Sequence, residues 1–228
     1  MKAILFHVKP FLLCLILFPL FGSSQISTIW LKDRAVPIPS TIDSSLFIWN
    51  AQQPGYAKLS EHAKQWLYWT NYARKNPRQF WDSAVSPILV AFPELSGKYS
   101  ASLQIDLYKA DPLPFISLNT SLIQTAQYHA TDIAVSNSKP SHNSSNGDDF
   151  AFRMKKAGII HCAAENISLG NHSILLSLVL LYLDIDLPAL GHRKNLLNPS
   201  FSDLGIGISV LRDGSLFSVQ DFSCTQQH

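Results

Sequence analysis

Cysteine is scarce in this chain: there are three in 228 residues, and none stands in a CxxC or CxxH pattern. That excludes a disulfide-dense scaffold, a zinc finger and a dithiol redox motif. Charge is scarce as well. Lysine and arginine total 18 and aspartate and glutamate 16, with no basic stripe interleaved with aromatics, so the electrostatic footprint of a nucleic-acid binder is missing. No apolar run reaches the ~20 residues that a membrane span needs. Internal repeats are absent too.

What is present begins with a targeting segment. Met1 to Ser24 has a basic start (Lys2, Lys9), an apolar run from Phe11 to Phe21, and small residues before Gln25, the pattern of a secretory signal peptide; a retained anchor is the weaker alternative. Cys14 lies in the middle of that run, so a lipid anchor at its end is not expected. Removing residues 1–24 takes two lysines and no acids, which brings the net charge close to zero. The expectation is a secreted protein, extracellular or periplasmic, with no stable membrane anchor and no nucleic-acid partner. Cys162 and Cys224 then remain as an even pair in an oxidising compartment, each in or beside an expected strand. A bridge and two free buried thiols both fit the sequence.

Residues 25–59 carry Pro37, Pro39 and Pro54 and no sustained periodicity, and read as an extended lead that Trp30, Phe47, Ile48 and Trp49 hold against the body. Residues 60–228 are long enough to bury a full core as one domain. Ser60 caps a helix with Ala63, Trp66, Leu67, Thr70 and Ala73 at helical spacing, and Asn76-Pro77 opens a second through Phe80 and Ala84. A short helix is expected over 103–108. Asn119 caps a clearer one striped by Leu122, Ala126, Ala130 and Ile133, a polar loop follows over 136–149, and Asp148 or Asp149 caps a short helix through Arg153. Residues 162–169 read as a strand, and Asn171 as the cap of an almost uniformly apolar helix over 173–183. A polar turn at Gly191-His192-Arg193 leads to strands over 205–211 and 216–222, joined by the hairpin signal Arg212-Asp213-Gly214. Helices, strand, helix and hairpin in that order give a mixed sheet covered by helices.

His142, Glu165, Asp184 and His192 are the candidate site. Their separations match no local catalytic or metal spacing, so the argument rests on placement at loops and element ends, where polar side chains can converge on a cleft. His142, His192 and Glu165 make a competent ligand set for zinc or another divalent metal, and the acid can equally orient a histidine from outside the coordination sphere. A hydrogen-bonded polar cluster that pins the loop to the sheet explains the same residues. Arg153, Asn166, Arg193 and Asn195 are read as structural support. His62, His129, His161, His172 and His228 carry no such argument.

Ser141-His142, Arg153, Ala164-Glu165-Asn166-Ile167 and Gly191-His192-Arg193-Lys194-Asn195 with Gly205-Ile206-Gly207 resemble the CAP superfamily of cysteine-rich secretory, antigen five and pathogenesis-related proteins, the bacterial secreted branch most nearly. The resemblance runs from about Ala63 to Ser223. It implies an α+β fold, a three-layer α-β-α sandwich with a small mixed, mainly antiparallel sheet, whose cleft holds two histidines and two acids. His142, Glu165 and His192 match three of those members. The fourth is usually a glutamate in the preceding helix, where this chain offers Asp184, or Asp186 as a substitute. The function implied is a non-catalytic extracellular binding module for a lipid, a cell-wall component or a protein. The alternative is a metal-dependent extracellular peptidase or esterase using the same cleft.

Overall fold

The computed structural model describes residues 25–27, 31, 34–170 and 173–226, with backbone alone for 25–27. The expected signal peptide, Trp30, Asn171, His172 and His228 lie outside the described residues. Three strands form the body of the sheet: β3 (Ala163–Gly170), β4 (Asp203–Val210) and β5 (Leu216–Ser223). The hairpin signal places β5 antiparallel beside β4, and β5 also pairs antiparallel with β3. Two short segments extend the edges in parallel, β1 (Gln25–Ser27) against β3 and β2 (Ser117–Leu118) against β4, to give the order β1-β3-β5-β4-β2. The sheet is therefore mixed and mainly antiparallel.

Alternation along the strands sends successive side chains to opposite layers. Ile167 of β3 and Phe217 and Val219 of β5 pack on Ala126, Ala130 and Ile133 of α6 (Thr120–Ser136), and Ala163 packs with Met154 of α7 (Phe150–Lys156). Ala164, Leu204, Ile206 and Phe222 face the other way, into the larger core with α2 (Glu61–Lys75) and α8 (Ile174–Leu183). Every residue of α8 is buried, which accounts for a helix apolar on all sides. Each of its leucines contributes ~1.5–3 kcal/mol by leaving water. Its N-cap is Ser173, whose hydroxyl accepts from Leu176 N at 3.2 Å.

Glycine decides how α6 seats. A Cβ on Gly205 would stand 2.0 Å from the carbonyl carbon of Leu122, and one on Gly207 2.1 Å from that of Ala126, so helix backbone touches strand backbone. The layer on this side is thin for that reason.

The lead differs from its extended reading. Besides β1 it contains α1 (Ser44–Ala51), capped by Asp43, whose carboxylate accepts from Leu46 N at 3.1 Å. Leu46 and Asn50 are the residues α1 buries, whereas Phe47 and Ile48 are exposed. The spacing of Leu46 and Asn50 is helical, but one of the pair is polar and the pattern is two residues long. The expected Gly-His-Arg turn is also a helix, α9 (Gly191–Leu196), started by Leu190 in a left-handed conformation and closed by Lys194 N donating to Leu190 O. A polar run of helix-compatible residues after glycine reads as a turn because its hydrogen bonds are invisible in sequence.

Two further ties fasten the fold, one within the sheet and one between a helix and the connections beside it. Cys162 and Cys224 are bridged, with Cα atoms 5.7 Å apart, where β3 begins and β5 ends. Arg74 of α2 is buried and donates to the carbonyls of Pro114, Leu196, Asn198 and Phe201, pinning the connection between α9 and β4. A buried guanidinium is tolerable when its donors are all met.

Candidate functional site

Strand register builds the first half of the site. Glu165 in β3 lies opposite Asp221 in β5, and both face the α6 and α7 layer. Arg153 on α7 reaches Glu165 with Nη2 to Oε2 at 2.5 Å and donates from Nη1 to the carbonyl of His142 at 2.8 Å. The other oxygen of Glu165 lies 2.7 Å from His142 Nδ1. A carboxylate only accepts, so that contact puts the imidazole proton on Nδ1.

Two acids and one guanidinium share this buried space, and their charges do not balance. Burial pushes the Glu165 carboxyl up to about 7 against the opposing pull of Arg153. Burial, and next the charge of Glu165, hold Asp221 well above the ordinary aspartate range. At neutral pH the pair therefore keeps a proton, because two buried like charges facing each other cannot both ionise.

The loop carrying His142 is held in place by neighbours with no chemical task. His129 on α6 is buried, with Nε2 2.9 Å from Ser141 O and Nδ1 3.4 Å from Ser144 Oγ. Burial, then the charge of Arg153, lowers its pKa to about 4, which keeps the ring neutral, donating to the carbonyl and accepting from the serine. Asp132 accepts from both the backbone N and the hydroxyl of Ser145. Ser141 Oγ donates to Asn143 O at 2.9 Å, so its hydroxyl is committed within the loop.

The second half belongs to the α8 and α9 layer. Asp184 ends α8 in a left-handed conformation with φ 50°, which turns its carboxylate back onto α9. One oxygen lies 2.5 Å from His192 Nδ1 and the other accepts from Arg193 N at 3.0 Å. Asp186 is exposed, so Asp184 is the acid that meets the histidine. Its short side chain suffices because the backbone, not the side chain, spans the gap. Arg193 is buried and donates to the carbonyls of Tyr99, Tyr182 and Leu183 as well as to Ser102 and Asp106. Asn166, next to Glu165 but on the opposite face, accepts from Asn195 at 2.8 Å and donates to His192 O at 3.5 Å.

The described contacts thus join the four candidates as two imidazole–carboxylate pairs, His142 with Glu165 and His192 with Asp184. Adjacent residues of β3, Glu165 and Asn166, link the pairs through the sheet. Among the described residues no group of three or more His, Cys, Asp or Glu side chains is arranged to hold a metal ion. Sequence reasoning missed Asp221, and gave His129 no role. Asp221 did leave a signal, an acid at the third position of an otherwise apolar face after Phe217 and Val219, but its partner on β3 is a matter of register.

An α-β-α sandwich with imidazole–carboxylate pairs on either side of β3 defines a class of module rather than one activity. The chain belongs to the CAP family, the cysteine-rich secretory protein family, whose family model matches residues 59–222. Similar solved structures include an extracellular protein containing an SCP domain from Bacillus anthracis str. Ames, at 29% identity and TM-score 0.39 over 50% of this chain and 35% of that one. An outer surface protein from Borrelia burgdorferi is similar at 17% identity and TM-score 0.41, over 60% and 91% of the two chains. A cysteine-rich secretory protein from Staphylococcus aureus follows at 19% and 0.34, over 57% and 36%. The match spans about a third of the length of the Bacillus protein. No curated protein matches. Among the described residues no helix is long and apolar enough to cross a membrane.

Proposed function

We propose that this protein is a secreted, non-catalytic binding module whose imidazole–carboxylate pairs shape a cleft for an extracellular ligand, a lipid, a cell-wall component or a protein. One observation carries the reading: the groups a hydrolase would need are spent on structure. Both oxygens of Glu165 and both of Asp184 are engaged, and Ser141 Oγ points its proton at Asn143 O. Among the described contacts the ring hydrogen bonds of His142 and His192 run to carboxylates and none joins a serine, threonine or cysteine, the contact that activation of a nucleophile by either base requires.

A divalent ion such as zinc would draw on the same residues through the two imidazoles. With Nδ1 of each ring held by its own carboxylate, Nε2 carries the lone pair, the arrangement in which an acid orients a metal-binding histidine. His142 and His192 are then the ligands, with Glu165 and Asp184 outside the coordination sphere. Glu165 is the member moved from the ligand role its sequence position suggested. When bound, such an ion lends Lewis acidity and a template for an oxygen-bearing ligand.

Calorimetric zinc titration of the secreted protein, its His142→Ala variant and its His192→Ala variant tests the metal arm. Loss of the heat in both variants is the expected result, and heat unchanged in either removes the shared site. The non-catalytic arm is tested on peptide and ester substrates. Hydrolysis abolished by chelation and by His142→Ala would instead establish the metal-dependent hydrolase.

A further inference from the structure

A groove of about 420 Å³ runs between α6 and α7, on the outer side of Arg153. One wall is a polar face of α6, where Gln124, Thr125 and Tyr128 follow one another at helical spacing. Arg153 and Lys156 of α7 form the other, and Asp148 stands at one end. Tyr128 is 58% exposed, so its ring offers apolar surface to solvent within an otherwise polar concavity. Gln124, Tyr128 and Lys156 spend no side-chain hydrogen bond or ion pair among the described residues, and the buried Nε–H of Arg153 has no acceptor there. Asp148 is only partly spent, holding Asn146 Nδ2 at 2.9 Å.

Such a set is well matched to one kind of ligand. An exposed aromatic ring flanked by an amide, a hydroxyl and a carboxylate suits a pyranose, whose C–H face packs on the ring while its rim of hydroxyls meets the polar groups. Lys156 makes no ion pair among the described residues, whereas Arg153 is neutralised by Glu165, so the lysine ammonium adds a place for one negative charge on that ligand. The volume lies toward the small end of ligand pockets. We infer that the α6–α7 groove binds a carboxylate-bearing saccharide of one or two rings, with Tyr128 against the ring face, Lys156 on the carboxylate, and Asp148 and Gln124 on the hydroxyls. The inference rests on the binding-module reading and gives it a ligand class. It does not involve Nε2 of either histidine.

The test uses the secreted protein with three probes, a glucuronate-terminated disaccharide, the corresponding neutral glucose disaccharide, and inorganic phosphate, followed by calorimetry and by chemical-shift changes of the α6 and α7 amides. The acidic disaccharide should bind about tenfold more tightly than the neutral one, a factor typical of one charge-assisted contact, with shifts confined to the two helices. Lys156→Met should bring the two disaccharides level, and Tyr128→Ala should weaken both by about tenfold, the loss expected for one aromatic packing contact. Both positions are exposed, so an unchanged thermal unfolding profile certifies the fold. Absence of disaccharide binding, binding indifferent to both variants, or phosphate competing as well as the acidic disaccharide overturns the proposal. Cleavage of the disaccharide leaves the groove standing and sinks the non-catalytic reading. Zinc heat that disappears in His192→Ala while disaccharide binding persists separates the two sites.

Discussion

Replacing Arg153 with methionine isolates the balance of charge on which the buried half of the site depends. The side chain keeps most of its volume and loses the guanidinium that lies 2.5 Å from Glu165 and 2.8 Å from the carbonyl of His142. Arg153 and Glu165 have side chains 4% and 0% exposed, so solvent supplies little compensation. Removing one member of such a pair costs about 3–5 kcal/mol, chiefly by stranding the remaining charge. The loss should be smaller at pH 5 than at pH 8, because the Glu165 carboxyl, already pushed up to about 7, escapes by taking a proton when its counter-ion is gone. Adding Glu165→Gln should recover a large part of the loss, since no charge is then left buried. Urea unfolding of wild type, both single variants and the double variant at the two pH values measures the cycle. An Arg153→Met cost below about 1 kcal/mol at pH 8, the range of a solvent-exposed ion pair, would refute the reasoning, as would strict additivity of the two substitutions.

The same acids fix the pH response of the wild type. Their folded-state pKa values are raised, so the stability they confer is complete below the unfolded carboxylate range and is lost as pH rises through about 7; the urea midpoint should fall between pH 5 and 8, and Asp221→Asn should flatten that fall. Gly207→Ala forces α6 off the sheet and should cost more than about 4 kcal/mol, read as loss of cooperative unfolding or of soluble protein. Replacing Cys162 and Cys224 with serine opens a loop of sequence separation 62 and should lower stability by about 4 kcal/mol, checked by urea unfolding beside the reduced wild type.

Much of the fold was legible where periodicity and caps agree. Ser60, Asn119 and Asp149 accept from the expected backbone donors, and α8 is buried all round as its composition requires. The lead was less legible, because α1 announces itself through Asp43 and a single buried leucine rather than a stripe. Motif residues nominated the candidate site, and the pairings among them followed only partly. Sequence position prefers Asp184 to Asp186, whereas the contact that Asp184 makes with His192 depends on how the chain turns after α8, which no side-chain pattern encodes. Asp221 and Arg74 escaped because their roles come from contacts between residues far apart in the chain, the first through strand register and the second through four carbonyls distant in sequence.

The contact of α6 with Gly205 and Gly207 has a mechanical meaning. Main chain lies on main chain, with no pliable layer between to absorb a displacement, so helix and hairpin move as one stiff plate. The segment bearing His142 leaves the far end of that plate and is latched to it by His129. A twist applied to the hairpin should therefore arrive at His142 almost undamped, whereas side-chain repacking elsewhere should scarcely reach it.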